Sequence, residues 1–199
     1  MLKELNNIYS LSQLIILGII FLTAFYFYYS QKDKFKFLIN KLIAAALFFS
    51  AILAIIKTIN QYYVWSGNEL SRLLLPPYQS INYFIFYAFS RFWLGVLIGA
   101  AVSFLFYLFL KFLEKRQSRF FIEGETALGF LTALLVGWPN FVIFLPLVFV
   151  STILIAIYRQ LILKESYTTL GYPFLLAAGL ALIFGRAIID ALNLGVLRI

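Results

Sequence analysis

Apolar residues in this chain come in long runs rather than in alternation. From residue 8 to 29, and again from 38 to 59, the sequence is broken only by isolated polar side chains. A helix crossing a hydrocarbon core needs about 20 such residues, so these runs predict membrane spans. The first span closes at Lys32-Asp33-Lys34-Phe35-Lys36. It has no cleavage pattern of small residues behind it and reads as a retained span rather than a signal peptide. A wetter stretch, 60–80, follows the second span, with Trp65-Ser66-Gly67-Asn68 and Pro76-Pro77 as breakers. Its tyrosines and tryptophan suit the headgroup layer. Residues 81–113 are too long for one straight crossing and contain Arg91. The expected division is a short or re-entrant piece, 81–90, and a third span, 92–113. A shorter helix, 124–136, stops at Gly137-Trp138-Pro139; a fifth span, 140–158, holds Pro146 as a kink; the last runs 167–192. The predicted fold is all-α: a polytopic transmembrane bundle of about six helices, one of them short or re-entrant, in a single domain spanning 1–199.

Composition agrees with the pattern. Of 199 residues, 63% are hydrophobic and 12% charged, with a mean hydropathy of +0.95; a water-facing domain carries about a quarter charged residues. The chain has no cysteine and no histidine. That excludes disulfides, thiolate chemistry and the commonest metal ligands, so no metal or cofactor is expected. The net charge of +8 does not point to nucleic acid, because the cations sit in short loops between apolar runs. Ten of them follow the first, third and fifth spans: Lys32, Lys34, Lys36, Lys41, Lys111, Lys115, Arg116, Arg119, Arg159 and Lys164. Four occupy the other side: Lys3, Lys57, Arg72 and Arg198. The positive-inside bias then places loops 31–37, 111–119 and 159–166 in the cytoplasm of a plasma or inner membrane, with the N-terminus outside, provided that 124–136 crosses.

Polar residues inside the runs are the candidate functional ones, because there they cost most. Arg91 lies between aromatic runs, where a charge at a helix centre costs about 2.5–3.5 kcal/mol. It is either an arginine reaching the outer interface or a guanidinium holding a lipid phosphate. Arg186 and Asp190, four apart, share a helix face and form either a structural pair or an arginine oriented toward a cavity. Glu123 and Glu125 flank Gly124 at a helix start, where acids suit the helix dipole; alternatively one is a general base at the membrane edge. Asn140 is a natural N-cap for the span that follows it. Gly95 and Gly99 form a small-xxx-small pattern for close helix packing. No residue is assigned a catalytic role from these patterns.

Two resemblances run along these residues. Ile8-Tyr9-Ser10 leading into Leu17-Gly18-Ile19-Ile20 and a lysine loop, then Phe92-Trp93-Leu94-Gly95-Val96-Leu97-Ile98-Gly99 opening a basic-ended span, then Asn140-Phe141, then Arg186 four before Asp190, resemble in order the prolipoprotein diacylglyceryl transferase family, as a short and divergent member. The central motif there, S-F-H-G-G-L-I-G, has Leu94 here in place of its histidine, Gly137 stands where an arginine precedes the Asn-Phe, and the segment bearing N-G-E is missing. The resemblance implies a membrane enzyme moving a diacylglyceryl group from phospholipid to a membrane-anchored protein, with its chemistry altered or lost. Arg91, Arg186, Asn140 and Tyr9 would be the headgroup contacts.

The second resemblance is to type IV prepilin peptidases. Gly124-Glu125 precedes Gly137-Trp138 at their spacing, Tyr172-Pro173-Phe174-Leu175 lies in the last span, and Glu69 precedes Leu75-Pro76-Pro77. It implies an acidic pair, Glu69 and Glu125, close enough to share a proton. Three readings of function follow: phospholipid handling, with an anionic headgroup as partner; a peptidase-like protein; and a non-enzymatic assembly or scaffold subunit.

Overall fold

The computed structural model describes residues 2–164 and 168–197, with side chains from residue 12 onward apart from 32, 33 and 163. Helix α1 spans Leu2–Ser30, α2 Lys32–Gly67, α3 Glu69–Arg72, α4 Ile81–Ala88, α5 Leu94–Arg116, α6 Glu125–Val136, α7 Phe141–Tyr158 and α8 Gly171–Ala191. Two π-helical turns, Phe89–Trp93 and Arg159–Leu163, continue α4 into α5 and lengthen α7. No strand occurs among the described residues. Five helices are long and apolar enough to cross a membrane, and α6 is a shorter apolar helix.

Two boundaries differ from the sequence expectation. Residues 81–116 form one continuous helical rod. The run from Ile81 to Leu94 contains no Gly or Pro, so nothing breaks it, and Arg91 is absorbed by a π-helical turn rather than by a loop. The second helix likewise runs to Gly67 instead of ending at 59. Trp65 anchors that extension by packing on Phe84 and Tyr87 at centroid distances of 5.4 and 4.8 Å.

Helix α6 is the axis of the bundle. Nine of its twelve residues are buried, so it faces protein on nearly every side, and it packs against α1, α2, α5, α7 and α8. At 1.5 Å per residue it is about 18 Å long, short of a 30 Å hydrocarbon core. Gly129 lets it approach α5 and α8: a Cβ there would overlap Leu110 and lie 3.1 Å from the Phe174 ring. The chain leaves the lysine-rich end along α6 and returns along α7. Asn140, before α7, lies against Gly185 late in α8, whereas Ile155 near the end of α7 shares a groove with Tyr172 at the start of α8. Loops 31–37, 111–119 and 159–164 therefore gather at one end of the bundle.

Depth follows by counting along the helices. Lys36 pairs with Glu123, and Thr126 with Glu114, at the lysine-rich end. From Lys36 to Lys57, or from Glu114 to Arg91, the rise is about 32–34 Å, the thickness of the hydrocarbon core. In a slab that begins at Lys36 and Glu114, Arg91 falls at the far boundary rather than at the centre. The last turns of α2, together with α3, the Pro76-Pro77 loop and α4, stand beyond it as a hairpin with its own small core of Trp65, Leu75, Phe84 and Ala88.

Candidate functional site

The most closely built polar site lies at the lysine-rich end, where α6 begins. Gly124 takes a left-handed conformation (φ +93) that turns the chain into the helix, an orientation glycine adopts without strain. The first helical residue, Glu125, is fully buried. One carboxyl oxygen accepts the Ile122 backbone N–H at 3.1 Å, reaching back over the helix start. The other accepts the Tyr28 hydroxyl at 2.5 Å, across 97 residues of sequence. The rings of Phe35 and Tyr172 meet Tyr28 edge-on at 5.4 and 5.3 Å. Gly171, at the start of α8, closes the site: a Cβ there would overlap the Tyr28 phenol and lie 2.7 Å from the Glu125 carboxyl.

Two helices and a loop are thus tied through one carboxyl group, with α8 packed against it at Gly171. Both of its oxygens have donors from within the chain, and a negative end at a helix N-terminus suits the dipole. Around this core, Thr126 donates to Glu114 at 2.8 Å, and Lys36 pairs with Glu123 at 2.9 Å in the open, a contact worth at most about 1 kcal/mol.

The residues singled out from sequence lie on separate elements of the bundle. Arg91 is exposed on its π-helical turn, fixed by the neighbouring Trp93 indole donating to Thr58 at 3.3 Å. Arg186 and Asp190 are both exposed on α8, where each makes contacts. The Arg91 rod packs on α2 and α6, and α8 packs on α1, α6 and α7. Asn140 is not the N-cap expected. Its backbone is already helical (φ −61, ψ −18) and its side chain caps nothing; it packs instead within 3.1 Å of the space beside Gly185. Glu69 stands exposed on the far hairpin, and Glu125 lies at the opposite end of α2, a helix about 54 Å long. They form no proton-sharing pair. Gly99 does serve close packing, with the Trp138 backbone nitrogen 3.2 Å from where its Cβ would be, but Gly95 faces open space. The Tyr9 side chain lies outside the described residues.

Sequence reasoning missed Tyr28 and Gly171. Tyr28 hides among Tyr26, Phe27 and Tyr29, and only its place on the buried face with Leu17, Ile20 and Ala24 marks it. It also missed a groove of about 490 Å³ between α1, α7 and α8, lined by Phe21, Phe25, Ile155, Tyr172, Leu176 and Gly179 among others. Tyr172 connects that groove to the Tyr28–Glu125 site.

These features define a class: a multi-pass helical membrane protein whose short central helix is held by a buried carboxyl. No family model matches the chain, and neither a curated protein nor a solved structure does.

Proposed function

We propose that this protein binds an anionic phospholipid, one acyl chain lying in the α1–α7–α8 groove and the headgroup at the lysine-rich end, which faces the cytoplasm. The carrying observation is the groove, an apolar lateral opening between spans of a size suited to a small-molecule ligand. Lipid tails are as apolar as its walls, so the walls supply shape rather than driving force. Selectivity then rests on charge. Ile155 lines the groove, Arg159 opens the π-helical turn four residues later, and Lys164 follows that turn. Each cation near an anionic leaflet contributes about 1 kcal/mol. This reading keeps the ligand class of the transferase resemblance and none of its chemistry, since Leu94 occupies the motif histidine position.

The test is native mass spectrometry of the protein released from nanodiscs containing equal phosphatidylglycerol and phosphatidylcholine. Retained phosphatidylglycerol is expected to dominate. R159Q/K164Q is expected to reduce that preference about thirtyfold, the effect of roughly 2 kcal/mol. Gly179→Leu, which fills the groove where a Cβ already meets the Phe21 ring at 3.5 Å, displaces both lipids. Equal retention of the two lipids by the unaltered protein would overturn the reading.

A further inference from the structure

We propose that the far hairpin is the surface through which two copies of this chain pair. It stands beyond the depth marked by Lys57 and Arg91, where side chains meet headgroups and water, yet its surface is apolar: Leu70 is 80% exposed, Leu73 51% and Tyr78 63%. Patches of this kind mark interaction sites. Between residues 58 and 90 the only formal charges are Glu69 and Arg72. They lie three apart on α3, acid in its first turn and base in its last. Both are exposed, and neither has a side-chain hydrogen bond or ion pair among the described residues.

That pattern is self-complementary. Two copies inserted in one membrane with the same orientation are related by a two-fold axis along the membrane normal, which makes their contact isologous. Any part of α3 lying in the membrane plane then meets its copy antiparallel. Glu69 of each copy faces Arg72 of the other, with Leu70 between the two ion pairs and Leu73 just outside them. A partner of different sequence would have to supply one acid and one base in reversed order beside an apolar strip; a second copy has them by construction. Asn68 keeps the short helix in place, its side chain accepting the Leu70 and Ser71 backbone N–H groups at 3.1 and 3.2 Å.

The chain has no native cysteine, so Leu70→Cys carries a single thiol at an exposed position. The purified variant, reconstituted in liposomes at high lipid-to-protein ratio, is treated with a short bis-maleimide. It is expected to cross-link to dimer well above Tyr29→Cys, an exposed position at the lysine-rich end. In the Leu70→Cys background, E69R or R72E alone sets like charges opposite each other and reduces the dimer about tenfold. E69R/R72E together restores it, because the swapped pairs attract again. Cross-linking no greater than at Tyr29→Cys, whether because the hairpin rests among headgroups or because it takes an unlike partner, overturns the proposal. So does a double swap that stays as low as the single reversals. Lipid retention by the variants is measured alongside and is independent of this outcome.

Discussion

Glu125→Ala is expected to lower the unfolding free energy of the bundle by about 4 kcal/mol, the largest loss from any single polar side chain in it. The Tyr28 hydroxyl and the Ile122 N–H would each lose their acceptor. A buried donor left unsatisfied costs about 1–3 kcal/mol, and the vacated volume adds a cavity cost. Glu125→Gln keeps the shape and one acceptor oxygen, so it should lose about half as much. Tyr28→Phe removes one donor and costs about 1–2 kcal/mol. Because Tyr28 and Glu125 share one contact, the double variant should be less damaging than the sum of the singles. Unfolding in mixed detergent and SDS, followed by circular dichroism, gives all four values. A Glu125→Ala loss below 1 kcal/mol would show that the carboxyl does not hold the helices together.

The second large effect is at Gly171. Alanine there places a methyl group inside the contact distance of the Tyr28 phenol and 2.7 Å from the Glu125 carboxyl. Either α8 moves away from α1 or the Tyr28–Glu125 bond opens. Overpacking of this kind costs up to about 3 kcal/mol. Tyr28→Phe should not rescue Gly171→Ala, because the ring carbon that bears the hydroxyl is itself in the way. Gly18 supplies the control: nothing lies within 4 Å of its Cβ position, and Gly18→Ala in mid-helix should be neutral or stabilising by up to about 1 kcal/mol. The same unfolding measurement compares the two, and equal melting of both variants would contradict the packing described.

The helices were legible in the sequence because their cause is local. Apolar runs of membrane length produced the spans, and the clustered lysines and arginines marked the end where their loops gather. Gly137-Trp138-Pro139 was legible as a turn, and Gly99 as a place of close approach. The continuity of 81–116 was not, because length argued for a break where no residue supplies one. Judged from its aromatic neighbours, Arg91 could be either an arginine at the outer interface or a guanidinium holding a lipid phosphate. Counted from Glu114, it falls at the boundary.

Glu125 was legible only as an acid at a helix start. What makes it the centre of the polar site is Tyr28, far upstream, and the missing side chain of Gly171, far downstream. No window on the sequence contains all three. Asn140 shows the converse error: local rules made it a cap, and the α6–α7 turn delivers it with helical backbone angles that leave the capping geometry unavailable.

The spacing of those three residues also sets an order of events. Tyr28 is made early, Glu125 well after it, and Gly171 with the last helix. At the usual pace of synthesis, 5–20 residues per second, the roughly 140 residues between Tyr28 and Gly171 take on the order of ten seconds. Through the last 46 of these residues the acid of α6 lies in a bundle still open on one side. Docking of α8 is then the step that closes this site, and a nascent chain stalled before it displays an uncovered carboxyl at the lysine-rich end of the bundle for the cell's quality control to find.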